Sequence, residues 1–269
     1  MTEREELFEQ IDDACEEGRI DEALELLEKL GEDDENRWFH EFQIRFLLAD
    51  LGGAKQALHR AALIVGEHDP WVALNKGMLA VQEWDTTSAH VLVDDLKKEH
   101  FGDENVWAEA LLLRARIADM ENEFELADRL LSEAAHSLGD PRAVPRRLTP
   151  EAFRDIVDQA AKELPEAFRP FLDALPVIID PVPTAGVVGA PESGNGPDLL
   201  GLYTGPPLVD FQSVQGGGIP PTIHLFQRNL EQASGDHDEL VEQIHITLYH
   251  ELAHALGFEE DEVDEMGLG

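Results

Sequence analysis

The sequence predicts an α+β protein, with an N-terminal α-solenoid of helical hairpins over residues 1–142 and a small α+β domain over 149–269. Three observations predict it. Residues 3–138 repeat apolar positions at helical spacing, with short polar breaks and almost no strand signal. Within that stretch a turn-and-alanine pattern returns every 32–38 residues. After "DPRAVPRRLTPEAF" the character changes to short apolar strands, loops rich in Pro and Gly, and one long amphipathic helix.

The repeats come first. Gly18 lies five residues before Ala23, Gly52 before Ala57, Trp84 before Ala89 and Asn122 before Ala127, so the alanines are 34, 32 and 38 residues apart. Gly or Asn at a turn supports a left-handed backbone. A small alanine five residues later lets the second helix pack closely on the first. Paired helices follow over 3–22, 36–64, 71–98 and 106–137. Asp69-Pro70 and Asp140-Pro141 fall where such repeats end a helix. The pattern resembles the tetratricopeptide repeat in a divergent form that lacks most signature aromatics. That resemblance implies a concave face for a peptide or partner protein. A plain helical bundle is the alternative.

Bulk composition narrows the partners. The chain has 269 residues, a net charge of −37 and a pI near 4.4. Nucleic acid and anionic membrane both repel such a surface and are excluded as direct partners. Only six of the twenty basic residues are lysine. An acidic, lysine-poor surface fits a high-salt cytoplasm, where screening removes self-repulsion; it also fits an acidic repeat domain at ordinary ionic strength. Cys15 is the single cysteine, expected to be a buried small hydrophobe. The start, "MTEREELFEQ", has no apolar run of a signal peptide, and no stretch approaches the roughly 18 apolar residues of a membrane span. The expected location is cytoplasmic.

In the second half, Thr149 caps a helix over 150–163 that opens with Pro150. A short helix over 165–174 and a buried strand in "PVIID" follow. "PVPTAGVVGAPESGNGPD" reads as a long loop, "LLGLYTG" as a strand, "VQGGGIPP" as a glycine-rich turn and "PTIHLFQ" as another strand. Asp236 and Glu239 form a capping box for a helix over 237–256, which Gly257 ends. Val241, Ile244, Leu248, Leu252 and Ala255 make its apolar stripe.

That helix carries His250-Glu251-Leu252-Ala253-His254, the H-E-x-x-H pattern. Histidines four apart share one face, so both imidazoles reach one ion at the roughly 2.0–2.1 Å that zinc prefers. Glu251 is turned by about 100° and reaches a water on the open side, the place of a general base. The third ligand comes from Glu259, Glu260, Asp261, Glu262, Asp264 or Glu265, or from upstream; Glu260 is preferred, because the turn at Gly257 folds the following residues back. Tyr203, His224 and Arg228 are candidate oxyanion donors. His245 lies on another face and is excluded as a ligand. Strand 222–226 offers an edge for an extended substrate.

"LLGLYTGPPL", "GIPPTIHLFQRNL" and "HITLYHELAHALGFEEDEVDEMGL" together resemble the minimal zincin-like metallopeptidases of bacteria, whose pattern is H-E-x-x-H-x-x-G-x-x-D. The resemblance covers roughly 149–269 and implies a small α+β domain with a few strands beside an active-site helix. It implies zinc held by His250, His254 and Glu260, with Glu251 catalytic. Here Glu260 stands where the family has Asp, and Asp261 beside it is a competitor. The implied activity is hydrolysis of peptide bonds with a zinc-bound water, on a peptide or protein recruited by the repeats. The alternative is a non-catalytic zinc-binding scaffold or adaptor acting through its repeats. Glu251 argues against it, since a purely structural site has no use for that acid.

Overall fold

The computed structural model describes residues 3–16, 18–94, 96, 104–139, 144–164, 166, 168–189, 196–208, 220–259 and 262–263. Among them are thirteen helices and a three-stranded sheet, an α+β composition. No helix among the described residues is long and apolar enough to cross a membrane. The chain divides into two compact units, Met1–Ile117 and Ala118–Gly269.

The first unit holds α1 (Glu3–Glu16), α2 (Ile20–Leu27), α3 (Glu35–Leu47), α4 (Leu51–Val65), α5 (Pro70–Gln82), α6 (Thr86–Asp94) and most of α7 (Glu104–Met120). Consecutive helices pack in pairs, α1 on α2, α3 on α4 and α5 on α6. One turn joins each pair and recurs between α7 and α8 (Phe124–Leu138). Gly18, Ala49, Trp84 and Asn122 take left-handed backbone, with φ between 56° and 70°. The next residue sends its N–H back five positions: Arg19 to Ala14, Asp50 to Arg45, Asp85 to Ala80 and Glu123 to Ala118, at 2.8–2.9 Å. This is a Schellman closure of the first helix. The same residue then opens the second helix, its carbonyl accepting the N–H of Ala23, Ala54, Ala89 or Ala127. All four alanines are fully buried.

The second turn differs from the sequence expectation. Gly52 lies inside the first turn of α4, and the left-handed position is Ala49. The cause is Asp50, whose carboxylate accepts the Gly53 N–H at 2.8 Å and fixes the helix start at Leu51. The alanine five residues after the turn is therefore Ala54; Ala57, also buried, lies farther along the same helix. Asp69 caps α5 and Pro70 is its first residue, so that pair begins a helix. Asp140-Pro141 lies outside the described residues. Cys15 is half-buried against the α1–α2 core.

The second unit adds α9 (Pro150–Glu163), α10 (Arg169–Leu172), β1 (Val177–Asp180), α11 (Ala185–Val188), β2 (Gly201–Thr204), β3 (Thr222–Phe226), α12 (Gln227–Ala233) and α13 (His237–Leu256). Thr149 caps α9, accepting the Ala152 N–H at 3.2 Å. The sheet order is β1-β3-β2, with β1 parallel and β2 antiparallel to β3. One core joins Phe153, Val157 and Ala160 of α9, Ile223 and Leu225 of β3, and Leu240, Ile244, Leu248, Leu252 and Ala255 of α13. The α13 stripe thus starts at Leu240, with Val241 only half-buried.

Three expectations change here. Strand 222–226 is β3, paired on both sides, so it has no free edge for a substrate. Part of the expected 181–198 loop is the helical turn α11, while 190–195 lie outside the described residues, as does most of the glycine-rich turn. α12 was not foreseen: its polar residues Gln227, Arg228, Asn229 and Glu231 are buried.

Candidate metal centre

α13 is defined at both ends by its own sequence. Asp236 accepts the N–H groups of Asp238 and Glu239 at 2.9 and 3.0 Å, and Glu239 reaches back to the Gly235 N–H at 2.7 Å. Gly257 takes φ 95°, and Phe258 N–H closes on the Ala253 carbonyl at 3.1 Å. This fixes the last two turns, where the two histidines sit one turn apart.

The Nε2 atoms of His250 and His254 are 3.0 Å apart, their rings close to perpendicular. A tetrahedral ion with bonds of about 2.0–2.1 Å takes two nitrogens about 3.3 Å apart. The pair therefore fits one such ion with little movement. The Nδ1 of His254 donates to the Phe258 carbonyl at 3.0 Å. A carbonyl only accepts, so the neutral ring carries its proton on Nδ1 and its lone pair on Nε2. The Schellman turn at Gly257 brings that carbonyl within reach.

Glu251 is buried, with its Oε2 accepting the Tyr203 backbone N–H at 2.6 Å. Phe226 donates to the Leu200 carbonyl at 2.9 Å, so even-numbered residues of β2 face β3 and Gly201 and Tyr203 turn their main-chain groups outward. The outer edge of β2 thus meets the face of α13 that carries Glu251.

The other candidates have separate partners. The Tyr203 hydroxyl donates to the Pro206 carbonyl at 2.6 Å, and burial pushes its phenol pKa up. His224 bonds Asp180 through Nδ1 at 2.9 Å and stacks on Phe226. Arg228 donates to Asp119 and to Asp128, both at 2.7 Å, and lies over the Phe124 ring. Arg147 joins Asp128 to Glu231, and Glu231 also accepts the Leu148 N–H and the Gln227 amide. His245 faces Glu163 at 3.6 Å and stacks on Tyr249. The sequence gives no sign of the Glu231 network or of the Tyr203 N–H, because both depend on residues far apart in the chain.

Glu260 and Asp261 lie outside the described residues. Among the described residues no third His, Cys, Asp or Glu groups with the two histidines. Of the nearest acids that are described, Glu259 is exposed and Glu262 accepts the Glu259 N–H at 3.0 Å. Val263, just beyond, is fully buried.

Residues 172–269 match the model of the zincin-like metallopeptidase family. No curated protein matches the chain. The match spans β1 to β3, α12 and α13, and so covers His250, Glu251 and His254 together. In this zincin-like region the donor set suits zinc: two imidazoles with converging Nε2 atoms, one of them oriented by a backbone carbonyl, with a buried carboxylate one residue away.

Proposed function

We propose that the C-terminal domain is a zinc-dependent peptidase. His250, His254 and Glu260 hold the metal, and Glu251 is the general base. The observation that carries this reading is the histidine pair, with Nε2 atoms 3.0 Å apart and the Nδ1 of His254 committed to Phe258. The family match over 172–269 supports the same chemistry. Zinc, when bound, supplies Lewis-acid polarisation of a water and of a carbonyl oxygen. Glu251 takes the proton of the attacking water and returns it to the leaving amine. The Tyr203 N–H orients that carboxylate.

The N-terminal hairpins recruit the substrate or its carrier. Four identical turns, each followed by a buried alanine, support a tetratricopeptide-like solenoid there. At a charge of −37, nucleic acid and anionic membrane are not among its partners, and the chain works in the cytoplasm.

The test is zinc content together with cleavage. Protein purified without chelator should carry about one zinc per chain and cut members of a mixed peptide library. His250→Ala/His254→Ala should do neither. Glu260→Ala should lower zinc affinity and Asp261→Ala should not; the reverse would move the third ligand by one residue. Full zinc in the double histidine variant would overturn the site.

A further inference from the structure

Glu251 owes its place to a residue with no side chain. β2 approaches α13 so closely at Gly201 that an added Cβ would meet Thr247 Cγ2 at 2.6 Å, and Glu251 Cγ and Oε1 at 3.0 Å each. Contacts that short force the neighbour to move. Both Glu251 and Thr247 are buried on a helix packed on three sides by α9, α12 and the sheet. Two residues along the same edge, the Tyr203 N–H donates to Glu251 Oε2 at 2.6 Å.

Strand alternation makes these two contacts one device. Gly201 and Tyr203 lie two apart, so their Cβ directions share the α13 face and their amides share the outer edge. Close approach at 201 lets the amide at 203 reach the carboxylate. From this we infer that Gly201 is a positioning residue for Glu251: the missing Cβ seats the carboxylate against the Tyr203 N–H and fixes its orientation beside His250 and His254. The inference rests on the reading of Glu251 as the base. Gly201 φ is not left-handed, so the requirement for glycine is the space and not the backbone conformation.

The experiment reads the amide itself. Tyr203 N–H points away from β3, so its hydrogen exchange reports the bond to Glu251 and not the sheet. In the wild type it should exchange at least about tenfold more slowly than an unprotected amide, as a bond to a charged acceptor implies. In Glu251→Ala and in Gly201→Ala that protection should vanish, while the Leu202 and Thr204 amides, bonded to β3, stay protected. Glu251→Gln should retain it, because the amide oxygen still accepts. Should Gly201→Ala fail to fold, Gly201→Ala/Thr247→Ser removes the 2.6 Å clash and leaves only the two Glu251 contacts. Zinc affinity should remain within a few-fold of wild type in the folded alanine variant, with kcat for peptide cleavage falling and KM holding. A protected Tyr203 amide in Gly201→Ala, or an unprotected one in wild type, overturns the inference. Unchanged cleavage by Glu251→Gln would instead sink the catalytic reading and leave the clamp standing, so the two failures are separable.

Discussion

The imidazole of His254 shows how one hydrogen bond prepares a ligand. The Phe258 carbonyl holds its Nδ1 proton, so Nε2 faces His250 with a lone pair. Phe258 is in place because Gly257 takes the left-handed backbone that ends α13. Asp128 illustrates the same economy in charge. Burial alone would raise its pKa, but hydrogen bonds from Arg228 and Arg147 outweigh burial and hold the carboxyl below the usual range. A carboxyl with a lowered folded pKa stabilises the fold fully above its unfolded pKa, about 3.9, and that contribution fades as pH falls through the folded value. Asp128→Asn should therefore melt lower than wild type at neutral pH, and the gap should close below about pH 4. A gap that persists unchanged into acid would mean the charge contributes nothing.

At the scale of elements, the caps were legible because their signals are local. Asp236 with Glu239, Thr149 before Pro150, and Gly257 each act within four residues, and the structure uses all three. The i, i+4 histidines needed only the helix. β3 was legible as a strand but not as the central one, since strand order is set by pairing across the chain. α12 stayed hidden because its polar residues are buried only through partners such as Arg147, Asp119 and Asp128. Gly52 misled the reading of the second hairpin: a glycine near a turn suggests the left-handed site, yet Asp50 caps the helix ahead of it. This sets a test. Ala49 is exposed and left-handed, so Ala49→Gly should stabilise by about 1 kcal/mol. Gly52 is helical, and an added Cβ meets nothing nearer than Asp50 Oδ1 at 3.7 Å. Gly52→Ala should also stabilise, by about 0.5–1 kcal/mol. A destabilised Gly52→Ala in urea denaturation would return the turn to Gly52.

For the whole molecule, the question is what the zincin-like region needs in order to stand alone. The composition change near residue 149 predicts a domain start there, whereas buried Arg228 takes its carboxylates from Asp119 and Asp128, and both belong to the second compact unit. A fragment of residues 149–269 loses both acids and the Phe124 ring that cover this guanidinium, and with Arg147 and Leu148 it loses two donors to the buried Glu231 carboxylate. A fragment of residues 104–269 keeps both acids. With zinc supplied, the longer fragment should melt cooperatively and the shorter should not; equal melts would make the arginine network dispensable. The full chain, in turn, tests the central claim that His250, Glu251 and His254 form a hydrolytic centre. The measurement is cleavage of a mixed peptide library by zinc-loaded wild type and Glu251→Gln, with zinc content determined on the same samples. The amide keeps the size of the side chain but cannot take the water proton. Equal zinc is expected in both proteins, with cleavage only in wild type. Cleavage by Glu251→Gln at the wild-type rate would contradict it.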